Sequence, residues 1–224
     1  AQEAGATAAE TEVSQAVGQS VTVREGEVET IAYNRDKGIG VTVYAGQRKG
    51  SASTANLSPG AVEETVAKAL SIATFTTEDQ YAGLPDAALM ASNLPDLDLC
   101  HPWELDASGA IDLAKRCEAA GLATDQRIRN SEGASVSTHR KLRVFGNSHG
   151  FVGGYPSTSH SVSCVVLGQD DDDMQRDYWY TAARDWRALE DIEEVGRKAA
   201  RKAVERLGAG KLSTRKAPVL FAPD

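Results

Sequence analysis

Between residues 11 and 54 apolar and polar positions alternate with period two. Val21 and Val23 alternate with Thr22 and Arg24, and Ile39, Val41 and Val43 alternate with Gly40, Thr42 and Tyr44. That period suits strands with one buried face. Turn-forming residues at 24–27 (REGE), 34–38 (NRDKG) and 44–48 (YAGQR) divide the region into short antiparallel segments, a β meander. The period then changes. Ser58 and Pro59 suit the cap and first position of a helix, Glu63 and Glu64 sit in its early turns, and Val62, Val66, Ala69, Leu70 and Ala73 make one apolar stripe. Residues 76–101 are irregular and proline-bearing. A second helix is predicted from about Asp106 to Leu122, with Ala110, Leu113, Ala114, Cys117 and Ala120 along one side.

Strand periodicity returns over 133–186, interrupted by an acidic turn at 169–173 (QDDDD). A turn is expected at Gly146–Gly150, where Asn147 and Gly150 suit positive φ, and an irregularity at Gly153–Pro156. A last helix is predicted from about Glu190 to Leu207. Its apolar face is Ile192, Val195, Ala199, Ala203 and Leu207, and Gly208 ends it. Strand runs followed by helices indicate an α+β fold, antiparallel meanders with amphipathic helices packed on them. The segments YNRDKGIGVTVY and FGNSHGFVGGYP both place an aromatic near an Asn and then a Gly that restarts a strand. This leaves open a division into two similar meander–helix units, 11–75 and 126–208, joined by a spacer and helix over 76–125.

Composition narrows the functional classes. The net charge of −8 argues against general nucleic-acid binding, which needs a basic face. No apolar run approaches the roughly 20 residues that span a bilayer. The opening AQEAGATAAETEVSQ has neither the basic nor the apolar part of a signal peptide and reads as the end of a helix. At the other end a strand-like PVLF has just begun, so the chain reads as a fragment of a longer protein. Cys100, Cys117 and Cys164 are widely spaced and odd in number, and no CxxC occurs. They are expected to be reduced thiols in a cytoplasmic protein, without structural zinc. Cys117, on a helical apolar stripe, and Cys164, on a strand's apolar face, are expected to be buried and inert.

The candidate chemistry lies in RVFGNSHGFVGGYPSTSHS, residues 143–161. A zinc site could draw on His139, His149 and His160, but strand ligands on one face differ by an even number and His149 and His160 differ by eleven. The better reading is turn and surface histidines. Ser157, Ser159, Ser161 and Ser163 share one parity, and His160, Val162, Cys164 and Val166 share the other. A serine nucleophile would need a base, an orienting group and an oxyanion hole, and neither GxSxG nor SxxK is found. The acidic turn lacks the spacing of a calcium loop. GQRKGSAST lacks the phosphate-loop frame and is expected to be a strand that exposes Arg48 and Lys49 and protects a sheet edge. The basic face of the last helix is expected to be solvated and paired with Glu193, Glu194 and Glu205, or to face an acidic partner subunit. No residue is assigned a catalytic, cofactor-binding or metal-binding role.

Four long strings resemble the TldD/PmbA family: GIGVTVYAGQRKGSASTANLSP (38–59), PDLDLCHPWEL (95–105), RIRNSEGASVSTHRKLRVFGNSHGFVGGYPSTSHSVSCVV (127–166) and GKLSTRKAPVLFAPD (210–224). FGNSHG, MQRDYWYT and KLSTRKAPV are most similar to the PmbA (TldE) branch. The resemblance implies the N-terminal α/β region of a cytoplasmic metalloprotease-type protein, historically a modulator of DNA gyrase, whose C-terminal β-rich region is absent here. It implies a component of a TldD/PmbA complex that processes and degrades peptides. TldD-type subunits carry zinc through an HExxxH helix and a later cysteine, and no position of this chain matches them. The implied partners are a TldD-like subunit that holds the zinc and a peptide or unfolded-protein substrate, with a homodimer as an alternative, and neither nucleic acid nor membrane. A protein-interaction module acting through its sheet edges, without a protease role, is the competing reading.

Overall fold

The computed structural model describes residues 1–221. Six strands form one sheet: β1 (Ala8–Arg24), β2 (Glu27–Ala45), β3 (Arg48–Thr54), β4 (Ile128–Asn147), β5 (Val152–Asp170) and β6 (Asp173–Ala183). Their order is β3-β2-β1-β4-β5-β6, and every neighbouring pair is antiparallel. Three helices complete the α+β fold: α1 (Pro59–Phe75), α2 (Ala107–Leu122) and α3 (Ile192–Glu205). Each three-strand meander is followed by a helix, and α2 precedes the second meander.

The helix boundaries follow local chemistry. Asp106 and Asp191 cap α2 and α3 by accepting from the Gly109 and Glu194 amides at 2.7 and 2.9 Å. Ser58 stands at the α1 cap without such a side-chain bond, and Pro59 opens that helix. All three helices lie on one face of the sheet. Val21 and Val23, at odd positions of β1, point into the core under α2 and α3. Odd positions at the other end, Ala9 and Thr11, lie opposite Val43 and Val41, which pack under α1. The larger core joins Val21, Val23, Val136, Val162, Val166 and Val195 with small residues of α2 and α3. The helices approach closely because a side chain at Gly196 would collide with the Cys117 carbonyl of α2. Likewise α1 sits directly on β3, where a Cβ at Gly50 would collide with the Ala69 carbonyl.

Several sequence expectations are corrected. The strands are long, 17 to 20 residues for β1, β2, β4 and β5. NRDKG is not a turn and runs inside β2, paired residue by residue with β1 from Asn34↔Gly18 to Gly38↔Ser14. Its side chains are mostly exposed there, so polar residues meet no core. Gly153–Pro156 shows no irregularity: β5 pairs in register with β4 through Pro156↔Leu142, and the register shifts lie near Asn130 and Gly133 of β4. Pro156 fits because no β6 residue pairs with β5 before His160. The Ala/Glu-rich opening is a short 3-10 turn at Gln2–Ala4 and then strand from Ala8, not a helix end. Residues 218–221 (PVLF) take no strand, and residues 222–224 lie outside the described residues.

Candidate functional site

The stretch 143–161 forms the hairpin between β4 and β5 and the first half of β5. Its turn is built as the residues suggest at Gly150, which has φ of 86°. Asn147 acts differently from expectation. It does not adopt positive φ; its side-chain oxygen accepts from the amides of His149 (3.1 Å) and Phe151 (3.4 Å).

The strand geometry disperses the three histidines. His139 lies opposite Gly18 and Ser159 on the open face of the sheet, and a side chain at Gly18 would collide with its ring. Burial, then the charge of Lys141 and of His160, lowers its pKa from 6.5. His149 is exposed in the turn, about 30 Å along β4 from His139 at the rise of an extended strand. His160 is on the opposite, helix-bearing face and is 1% exposed, which corrects its reading as a turn or surface histidine. Its Nε2 lies 3.0 Å from the carbonyl oxygen of His101, which can only accept, so Nε2 carries a hydrogen. Its Nδ1 lies 2.8 Å from the Thr138 hydroxyl. Trp103 meets the ring edge-on at 5.6 Å and is itself stacked on Trp186. Thr158 extends the latch: its hydroxyl accepts from the His101 amide at 2.9 Å and donates to the Arg184 carbonyl at 2.6 Å. Thus His160 and Thr158 pin the 98–103 segment against the sheet, and both imidazole nitrogens are engaged in doing so.

The serines fall where parity puts them. Ser157, Ser159, Ser161 and Ser163 face the open side, partly or fully exposed, while Val162, Cys164 and Val166 are buried. Among the described residues no hydrogen bond joins His139 to Ser159. The open face carries a hydroxyl ladder instead, with Ser20 to Ser137 at 2.7 Å, Thr22 to Ser135 at 2.9 Å and Thr42 to Ser51 at 2.9 Å. Where this face crosses β3, β2 and β1 it forms a trough of about 770 Å³ lined by Glu10, Glu12, Thr42, Ser51, Ser53 and Phe145. Both carboxylates are already partnered: Glu12 accepts from Arg143 at 2.5 Å and Glu10 from the Tyr44 hydroxyl at 3.1 Å. Burial, then the charge of Glu10, raises the Tyr44 pKa. The trough offers hydroxyls and paired ions, a surface for polar contact.

One buried ionisable group is not legible as a site in the sequence. Glu118, 1% exposed on the core side of α2, accepts from the amides of Glu25 and Gly26 at 2.8 Å each. Those residues have φ of 52° and 76° and form the β1–β2 turn, so the carboxylate ties α2 to the hairpin tip. The signal was an acid between Cys117 and Gly121 on the apolar stripe. Asp177 is also nearly buried. Burial acts to raise its pKa, yet the Tyr178 amide, Arg206 and Lys202 together hold it below the usual carboxylate value. The basic face of α3 is accordingly engaged: Arg197 pairs with Glu193 at 2.9 Å, Arg201 with Glu194, and Lys198 and Lys202 lie over Trp179. In β3, Arg48 donates to the Thr74 carbonyl at 3.1 Å and pairs with Glu78 at 3.3 Å, while Lys49 is exposed on the edge strand.

A zinc set does not fit these residues. Among the described residues no three His, Cys, Asp or Glu side chains come together as metal ligands. Cys117 and Cys164 are both buried, and hydrogen bonding with Cys117, then burial, pushes the Cys164 thiol well up, away from the thiolate that a metal requires. Cys100 is partly exposed. No helix among the described residues is long and apolar enough to cross a membrane.

Comparison with known proteins gives this geometry its context. Residues 9–73 match the PmbA/TldA metallopeptidase domain 1, and residues 100–207 match the PmbA/TldA metallopeptidase central domain. The chain is 50% identical over 216 residues to Metalloprotease PmbA of Escherichia coli O157:H7, covering 96% of this chain and 48% of that protein. It is 43% identical to the Metalloprotease PmbA homolog of Haemophilus influenzae, covering 100% of this chain and 49% of that protein. The chain therefore spans about half the length of the curated relatives it matches. Among solved structures, a candidate modulator of DNA gyrase from Bacteroides thetaiotaomicron superposes with a TM-score of 0.85 at 23% identity, over 94% of this chain and 48% of that one. TldE from Thermococcus kodakarensis superposes with a TM-score of 0.69 at 16% identity, over 90% and 45%. These two show a shared fold. The two domain matches and the PmbA identities together establish that this chain belongs to the PmbA/TldD metallopeptidase family, as a PmbA/TldE-type member.

Proposed function

We propose that this chain is the architectural region of a PmbA/TldE-type subunit in a TldD/PmbA peptidase complex. In this reading it supplies scaffold and part of the path for a peptide or unfolded polypeptide, and a TldD-type partner supplies the zinc. The observation that carries it is the use made of the groups that could do chemistry. His160, Glu118, Glu10 and Glu12 each hold a structural bond between elements, in a chain 50% identical to Metalloprotease PmbA. A general base must reach the proton it removes; His160 and Glu118 are buried in the fold, and Glu10 and Glu12 already accept from Tyr44 and Arg143.

The test is peptide cleavage by the full-length protein with and without its TldD-type partner. Zinc-dependent cleavage is expected only when the partner is present. Robust zinc-dependent cleavage by the PmbA-type protein alone would overturn the non-catalytic assignment. The second reading, a protein-interaction module of gyrase-modulator type, draws support from the uncovered edge of β2 described next. It would prevail if the protein bound such a target tightly while adding nothing to proteolysis.

A further inference from the structure

β3 pairs with β2 only from Ile39 to Ala45, so β2 from Glu27 to Gly38 has β1 on one side and, among the described residues, no strand on the other. The second meander has the same incomplete outer strand. β6 pairs with β5 only from His160 onward, and Val152–Ser159 is left over. There the fold supplies an extended segment: the Thr158 amide donates to the Leu99 carbonyl at 2.9 Å, and Leu94 approaches Gly153. Among the described residues no such segment lies on β2. Its free stretch is about 35 Å of extended backbone with alternate unpaired N–H and C=O groups. It exposes Val28, Ile31 (43%) and Tyr33 (69%).

The basic charge of this edge lies on one face and toward one end: Arg35 and Lys37 are on the helix-bearing side, Asp36 has the opposite parity, and Glu27 and Glu29 lie at the far end of the stretch. On the helix-bearing face Arg35 and Lys37 of β2 share rows with Val17 and Gln15 of β1 and with Arg140 and Leu142 of β4. A trough of about 460 Å³ between Val13, Leu142, Leu57, Arg35 and Lys37 opens at that point. Among the described residues none of Arg35, Lys37 and Arg140 has a carboxylate within ion-pair distance, in a chain of net charge −8 that pairs most of its other arginines.

We propose that the free edge of β2, Glu27–Lys37, is a strand-addition site for an extended acidic segment of a partner polypeptide. The incoming strand continues the line of β3 and bonds to the β2 backbone. Its side chains on the helix-bearing face run along Ile31, Tyr33, Arg35 and Lys37, so aliphatic residues meet the first two and carboxylates meet the last two. The inference does not depend on whether the chain serves a peptidase.

The probe is a fluorescein-labelled peptide whose alternate residues, those on one face of an extended strand, are two glutamates followed by two valines, the antiparallel order, with threonine between them, titrated into the full chain at low ionic strength, with amide hydrogen exchange on β2. Binding is expected with new protection confined to residues 27–38. Strand addition uses the amides of alternate residues only. N-methylation in one phase of the peptide should therefore weaken binding at least tenfold and in the other phase leave it nearly intact. The double variant Arg35→Glu, Lys37→Glu should weaken binding by roughly tenfold, and a lysine-for-glutamate peptide should not bind the unmodified protein. Equal sensitivity to both methylation phases, or protection elsewhere, overturns the proposal. So does protection of residues 27–38 in the free monomer, which would mean that the chain covers its own edge. Protection that rises with protein concentration would assign the edge to a second copy, and likewise overturns it.

Discussion

Along β5 the stretch that β6 does not reach is bordered by the 94–101 segment, whereas along β2 the matching stretch beyond β3 has no neighbouring strand among the described residues. The helix layer is divided in the same way. Two helices, α2 and α3, bury Val21, Val23, Val136, Val162 and Val166 at one end, while α1 alone covers Val41 and Val43 at the other. That stretch of β2 starts beside Val21 and Val23 and runs toward the middle of the sheet, while the edge under α1 carries β3. Because burial of apolar area is the main source of stability, stability should concentrate where α2 and α3 meet.

The strongest way to break this comparison is to force the helix contacts apart. Gly196→Val should destabilise by about 3 kcal/mol or more, because the new side chain collides with the backbone of α2 inside the larger core. Gly50→Val, with a similar collision against α1, should cost less and leave the second meander folded. Chemical denaturation with fluorescence from Trp103, Trp179 and Trp186 reads the second meander directly, and equal, concerted losses for both variants would remove the asymmetry. Next in size is Glu118→Ala. It removes the charged acceptor of two amides in the β1–β2 turn and should cost about 2–3 kcal/mol in the same assay. A loss well under 1 kcal/mol would show that the turn does not need α2.

The smallest expected effect is a pH slope. The folded form lowers the His139 pKa from 6.5, so the unfolded chain binds a proton that the folded form resists. The stability linked to this group is intact above 6.5 and declines as pH falls below it. His139→Gln should flatten that part of the profile. Asp125 and Asp185, held near 2 by Arg127 and Arg187, act further down: their contribution is present above 3.8 and fades as pH falls toward 2. Both pairs are solvent-exposed, so the change there is slight.

Much of this was legible in the residues. The period change at Ser58, the stripe of α2 from Ala110 to Cys117 and the opposed parities of Ser159 and Val162 led directly to helices, core and open face. What was not legible depended on neighbours distant in sequence. Asn34, Asp36 and Gly38 have turn chemistry, but the β1 pairing holds them extended where no core excludes polar side chains. Pro156 suggested an interruption, yet an edge position tolerates its missing N–H. His160 shared parity with Val162, so its burial could be read, but its partners at Thr138 and His101 could not. Glu118 found its partners 92 and 93 residues away, and no local pattern announces them.

The central claim is that this chain shapes the complex and does not perform its chemistry. The most direct measurement is peptide cleavage by the complex assembled with a His139→Ala, His149→Ala, Ser159→Ala variant of the full-length protein. These groups are among the accessible ones that the sequence alone puts forward. The account predicts kcat/KM unchanged within about twofold, since no transition-state contact is removed. A loss of about a hundredfold or more in a folded, fully assembled complex would contradict it.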